Sequence, residues 1–257
     1  KVKGFDNDTL TLDGGTADAA FINDFHSRIK NFNVTENGGI IGSGLKLNAN
    51  GNRVDIGGKL EGGHVLATGT AGDRTDGKTP ENMITISSRG EVVNNAGDAL
   101  HVSGALDNAG SIRASDTAVM QNGALNITNS GIIHGGNSAI LSGDADIRLE
   151  NHGKITSDQL FAIQTGQNAY IENAGEISGI QADGKLRLNN ERQTGPVQAG
   201  ELALVNKGCI LSAENTPAVA TEKLSSLENS AEGSINGIRI DSGDSVINNF
   251  GKILGSG

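Results

Sequence analysis

The sequence predicts an all-β fold, a right-handed single-stranded parallel β-helix of about ten turns with three strands per turn. Three observations predict it. A degenerate phrase of the form N-x-G-x-I recurs along the chain. Aliphatic residues hold fixed places relative to that phrase. The composition is that of a solenoid, with 38 glycines, no tryptophan and 3% aromatic residues among 257 positions. A compact core normally draws much of its buried area from aromatic rings, so this one is built from small and aliphatic groups.

The phrase reads NAGSI at Asn108, NSGII at Asn129, NHGKI at Asn151, NAGEI at Asn173, NKGCI at Asn206 and NFGKI at Asn249. Looser copies are NGGII at Asn37, IGGKL at Ile56, SRGEV at Ser88 and NSAEGSI at Asn229. The anchoring glycines run from Gly39 to Gly251 with spacings of 19, 32, 20, 21, 22, 22, 33, 25 and 18. Two residues after them stand Ile41, Leu60, Val92, Ile112, Ile133, Ile155, Ile177, Ile210, Ile235 and Ile253, aliphatic in every case. At the chain's 35% hydrophobic content, chance gives such a column roughly three times in 100,000.

A second column precedes each asparagine by two residues: Leu106, Ile127, Leu149, Ile171, Leu204, Leu227 and Ile247. A third follows the anchor by nine to eleven residues, through Leu100, Val119, Ile140, Ile163 and Val219. Each column sits in a short segment that alternates apolar with polar, which reads as a strand. No segment keeps a 3.6-residue period over ten residues, so a helical solenoid is excluded. Right-handed winding follows the usual rule for parallel crossovers. The asparagines are expected to stack, each amide donating to one neighbour and accepting from the other. Asn also tolerates a left-handed corner, and the adjacent glycine is expected to let that corner bend.

Residues 1–36, rich in phenylalanine at Phe5, Phe21, Phe25 and Phe32, are expected to form an N-terminal cap or irregular first turn. Residues 37–257 carry the coils, interrupted by insertions at 68–82 and 189–200 that account for the two long spacings. The opening KVKGFDNDTLTL is not a signal peptide, and FGKILGSG stops in mid-repeat. A processed or excised piece of a longer chain is expected.

With 20 basic and 30 acidic residues the formal charge is −10. Such a surface repels phosphate backbones and anionic lipid, which removes nucleic acid as a partner. No run of 18 apolar residues exists to span a bilayer as a helix. The single cysteine, Cys209, has no internal disulfide partner.

Stretches such as NAGSIRASDTAVMQNGALNITNSGIIHGG and NHGKITSDQLFAIQTGQNAYIENAGEISG resemble the passenger regions of bacterial autotransporters, type V secretion proteins of the adhesin or pertactin-like kind. The resemblance covers the chain from about Gly39 onward and is periodic and compositional. It implies a Gram-negative source, export through the outer membrane, and an extracellular place on the bacterial surface or in secreted form. The implied role is adhesion to a host cell-surface protein or glycan, or self-association between bacteria, with no cofactor. A secreted virulence ligand for a host receptor is the alternative. A polysaccharide lyase or hydrolase ranks lower.

Candidate binding residues fall in three places. The insertions bring Arg74, Asp76, Lys78, Arg192 and Gln193 onto an acidic protein, in phase along one edge and five turns apart. Long loops on rigid scaffolds commonly carry function. The outward positions beside the third column, His101, Met120, Leu141 and Gln164, form a modest apolar stripe of the sort that binding surfaces use. The acidic positions Asp107, Glu150, Glu172 and Glu228 place Glu150 beside Glu172, best read as solvated carboxylates. Enzyme chemistry is less well supported. The close acidic pairs Asp6 with Asp8 and Asp144 with Asp146 lack a basic partner placed by the repeat. The five histidines fall in different columns, so no metal trio emerges, and no GxSxG elbow occurs.

Overall fold

The structure, a computed structural model, describes residues 2–6, 8–25, 28–48, 53–67, 83–143, 145–159, 161–182, 201–212, 216–241 and 244–255. These residues form a parallel β-solenoid of about nine turns, one fewer than expected. The strands lie in two hydrogen-bonded sheets of 19 and 11 strands. Among the described residues one pair is antiparallel, Val2–Asp6 against Thr9–Leu12.

The pairing resolves into three ladders. The anchor ladder runs through strands that follow the glycines, such as Ser111–Ala114, Ile132–Gly135, Lys154–Ser157 and Glu176–Ile177. In it Ile133 pairs with Ile155 and Ile155 with Ile177, and all three are fully buried. The asparagine ladder aligns Leu106, Ile127, Leu149, Ile171, Leu204, Leu227 and Ile247 in register. The third ladder aligns Leu100, Val119, Ile140 and Ile163, then Ile180 and Val219. Ile180 was not in the expected column, because it follows Gly175 by five residues where the others follow their glycines by nine to eleven. Two ladders share one sheet through the long strands Leu100–Asn108 and Thr117–Asn129. These strands bend at Gly104 and Gly123, whose φ of 101° and 91° suits glycine.

The inward columns merge into one cluster of buried aliphatic side chains in which Phe32 is the sole fully buried aromatic among the described residues. Every inward residue of these ladders rests on its counterpart from the turn before. Packing between elements of fixed 4.8 Å spacing favours Ile, Leu and Val for that reason.

The asparagine stack is continuous. Asn108, Asn129, Asn151, Asn173, Asn206 and Asn229 each donate Nδ2 to the next Oδ1 at 2.8 to 2.9 Å, and the row ends on Asn249, which accepts. Each amide also reaches a nearby main-chain carbonyl, as Asn151 does to Gly153 at 3.2 Å. The residues are the last of their strands and, up to Asn229, are buried. Their extended backbone corrects the expectation of a left-handed corner.

The glycines differ from expectation in the same way. None of the anchors has positive φ. A Cβ on Gly131 would lie 2.1 Å from the Gly110 carbonyl oxygen, and one on Gly153 equally close to Gly131. Close stacking of successive coils, and not chain reversal, excludes a side chain there.

One alignment was a residue out. Ile40 pairs with Leu60 and is buried, while Ile41 stands 45% exposed. The anchor of that turn is Gly38, whose Cβ would meet the Leu12 oxygen at 2.4 Å. Parallel pairing also starts before residue 37, joining Thr9–Leu12 to Asn31–Val34 and Gly15–Asp18 to Gly38–Ile41. A short helix, Ala19–Asn23, leaves the coil between them, capped by Asp18 accepting from the Ala20 N–H at 2.8 Å.

Candidate functional site

The outward positions of the third ladder form one continuous column. Register pairs Lys46 with Val65, Val65 with His101, His101 with Met120, Met120 with Leu141, and Leu141 with Gln164. The structure thus brings His101, Met120 and Leu141 together on three adjacent turns. All three are half-buried, as is Val65, so each offers part of its surface without forming a large apolar patch. Val65 and Lys46 were missed by sequence reasoning: the turn of Val65 ends in the 68–82 insertion, which breaks the spacing, and Lys46 lies one turn earlier, where the anchoring glycine was read a residue late.

Main-chain ladders fix the spacing of these side chains, and a few side-chain bonds fix their aim. His101 Nε2 lies 3.1 Å from Asp98 Oδ2, and Asp98 Oδ1 accepts from the Thr117 N–H at 3.0 Å. The His101 contact, with help from Thr117, holds the Asp98 carboxyl below its ordinary value. Below the apolar stretch, Gln164 donates to Ser138 Oγ at 2.6 Å and to the Phe161 carbonyl at 3.2 Å. The column therefore runs from a cation at Lys46, through an apolar middle, to the fixed amide of Gln164 and then to Gln181.

On the asparagine ladder the acidic positions are interrupted. Thr128 separates Asp107 from Glu150, and Val205 separates Glu172 from Glu228. Glu150 and Glu172 are adjacent as expected, with His152 Nε2 at 2.8 Å from Glu150. Beside them Arg148 sits 4.5 Å over the ring of Tyr170, the chain's one tyrosine. Cys209 is exposed in the anchor ladder between Glu176 and Ser234.

Arg74, Asp76, Lys78, Arg192 and Gln193 lie outside the described residues, as do Asp144 and His26. Both insertions are flanked alike: strands His64–Ala67 and Ile180–Ala182 of the third ladder precede them, and Ile84–Ile86 and Glu201–Asn206 of the asparagine ladder follow. Among the described residues no group of three His, Cys, Asp or Glu is placed to hold a metal ion. No described helix is long and apolar enough to cross a membrane.

His64 was not singled out by the sequence. It pairs with Leu100, so it occupies an inward place in the third ladder and is 1% exposed. Among the described residues neither ring nitrogen makes a well-formed hydrogen bond, although the Glu61 main-chain carbonyl lies near enough to act on the ring. Burial pulls its pKa down to about 4, which the Glu61 backbone offsets only in part.

Set against protein families, curated proteins and solved structures, the chain matches none.

Proposed function

We propose that the protein is an extracellular binding surface, the passenger of a bacterial autotransporter acting as an adhesin, and that it engages its partner with the outward face of the third ladder. The observation that carries this reading is the register of His101, Met120 and Leu141 on consecutive turns. A mainly apolar strip with a histidine at one end and the fixed amide of Gln164 at the other suits a protein or glycan surface. It needs no pocket. The rigidity of the ladders means that little ordering entropy is lost on contact. The periodic resemblance to autotransporter passengers supports the extracellular setting, and the net charge of −10 supports a partner that is not a polyanion.

The test uses purified protein in two forms, free in solution and coupled to beads, offered to mammalian cells and to bacteria. Bead-coupled protein is expected to adhere, and the triple variant His101→Ser, Met120→Ser, Leu141→Ser to lose at least about tenfold with unchanged circular dichroism. Equal adhesion by the variant defeats this placement of the site. A cellular response to the free protein with no adhesion favours a diffusible ligand, and depolymerisation of an acidic polysaccharide favours an enzyme.

A further inference from the structure

We propose that His64 is an acid-sensitive latch for the strand His64–Ala67, whose pairing with Leu100–Asn108 opens when the buried ring takes up a proton. This inference stands on the fold alone and does not depend on what the outward face binds.

Every other member of the column that His64 joins is aliphatic: Leu100, Val119, Ile140, Ile163, Ile180 and Val219. The ring therefore lies mostly among hydrocarbon, 1% exposed, with neither nitrogen well hydrogen-bonded among the described residues and the Glu61 main-chain carbonyl as a nearby polar group. A neutral imidazole already carries a desolvation cost in that place, and an imidazolium carries far more. Among the described residues no counter-ion is at hand to lower it. From its own turn and the turns packed on it, Lys46, Glu61, Asp98 and His101 all take outward or corner positions and none is buried. Across the core the facing strands Arg53–Ile56, Lys59–Glu61, Ile84–Ile86 and Glu91–Asn94 present Val54, Ile56, Leu60, Ile84, Ile86 and Val92 inward, while Arg53, Asp55, Lys59 and Glu91 stay at the surface. A proton can reach His64 only by bringing the ring to water.

The strand is well placed to yield. It is four residues long and pairs with the three-residue strand Lys46–Asn48 on one side and with Leu100–Asn108 on the other. Its release uncovers an edge of Leu100–Asn108, on which His101 sits. The ring is held neutral to about pH 4 when closed against an ordinary 6.5. Linkage then raises the opening constant by about 20-fold between pH 7 and pH 5.

Hydrogen–deuterium exchange read by mass spectrometry, corrected for the intrinsic pH dependence of exchange, tests this on the intact chain. Amides of the strand His64–Ala67 in the unaltered protein are expected to open about 20-fold more at pH 5 than at pH 7. In His64→Leu, and in His64→Gln, the change is expected to stay below about threefold. No pH effect in the unaltered protein overturns the proposal, and so does an equal effect in both variants, which would assign it to carboxylates. Should either variant misfold, an NMR titration of the His64 ring in the unaltered protein decides: titration near pH 6.5 with the strand amides still protected overturns it.

Discussion

Asn108 donates its amide to the side-chain carbonyl of Asn129 across one turn at 2.8 Å, while its own Oδ1 accepts from none of the described residues. The reason lies one coil earlier, where Ile86 takes the register place of an asparagine. The stack thus starts with an unsatisfied oxygen and is sustained by the bonds that follow. Removing a middle member is expected to be costly. Asn151→Ala strips the Asn129 amide of its side-chain acceptor and the Asn173 oxygen of its side-chain donor at a buried place, leaving each only a longer main-chain contact at 3.2 Å. Unfolding by urea should show a loss of about 3 kcal/mol with an unchanged m-value. Asn249→Ala, at an exposed position, should lose less than about 1 kcal/mol.

Glycine substitutions separate close stacking from backbone freedom. Gly131→Ala is expected to destabilise by about 3 kcal/mol or more, since its Cβ would strike a main-chain oxygen that cannot move alone. The neighbouring pair Gly38 and Gly39 tests the register. A Cβ on Gly38 meets the Leu12 oxygen at 2.4 Å, whereas one on Gly39 meets the Lys59 oxygen at 3.0 Å. Thermal melting should rank Gly38→Ala well below Gly39→Ala.

Acid should weaken the whole fold through His64. The unfolded chain binds a proton at the ordinary 6.5 and the folded chain only near 4. As pH falls between those values the unfolded state gains protons first, so stability drops across that window by at most about 3 kcal/mol and then levels off. His64→Leu should remove that part of the loss in urea titrations at pH 7 and pH 4.5. Asp98 acts lower on the scale. Its depressed carboxyl favours the folded state at neutral pH and stops doing so as the acid form takes over below its ordinary 3.8.

Single changes along the third ladder should divide binding from folding. Met120→Ser and Leu141→Ser stand at half-exposed outward places, so melting should shift little while adhesion falls. Leu100→Ala, directly inward beside His101, should do the reverse: about 2–5 kcal/mol of stability lost by cavity formation.

Much of this architecture was legible because a solenoid repeats its contacts at the period of its sequence. Ile133, Ile155 and Ile177 announce one another, and so do the asparagines. The outward stripe was legible for the same reason, since a residue beside a known inward position must face out. What escaped notice sits where the period is disturbed. NGGII offers two glycines and two isoleucines, and only the clash of a Cβ with Leu12 or Lys59 tells which pair is inside. His64-Val65 looks like His101-Val102, which invites aligning the two histidines. The register instead sets His64 on Leu100, a placement that polarity argues against and that only the stacked strands on either side enforce. The helix Ala19–Asn23 has five residues, too few for a periodic signal.

The file of carboxamides gives the interior a direction. Strand dipoles in a sheet largely offset one another, but these side chains all aim the same way, and hydrogen bonds laid end to end polarise their neighbours. Cutting the row once, at Asn173, leaves two shorter and more weakly polarised rows. A second cut at Asn129 should therefore cost less than it does in the intact protein. The asparagines behave as a single conductor of polarity, and their worth belongs to the row before it belongs to any one of them.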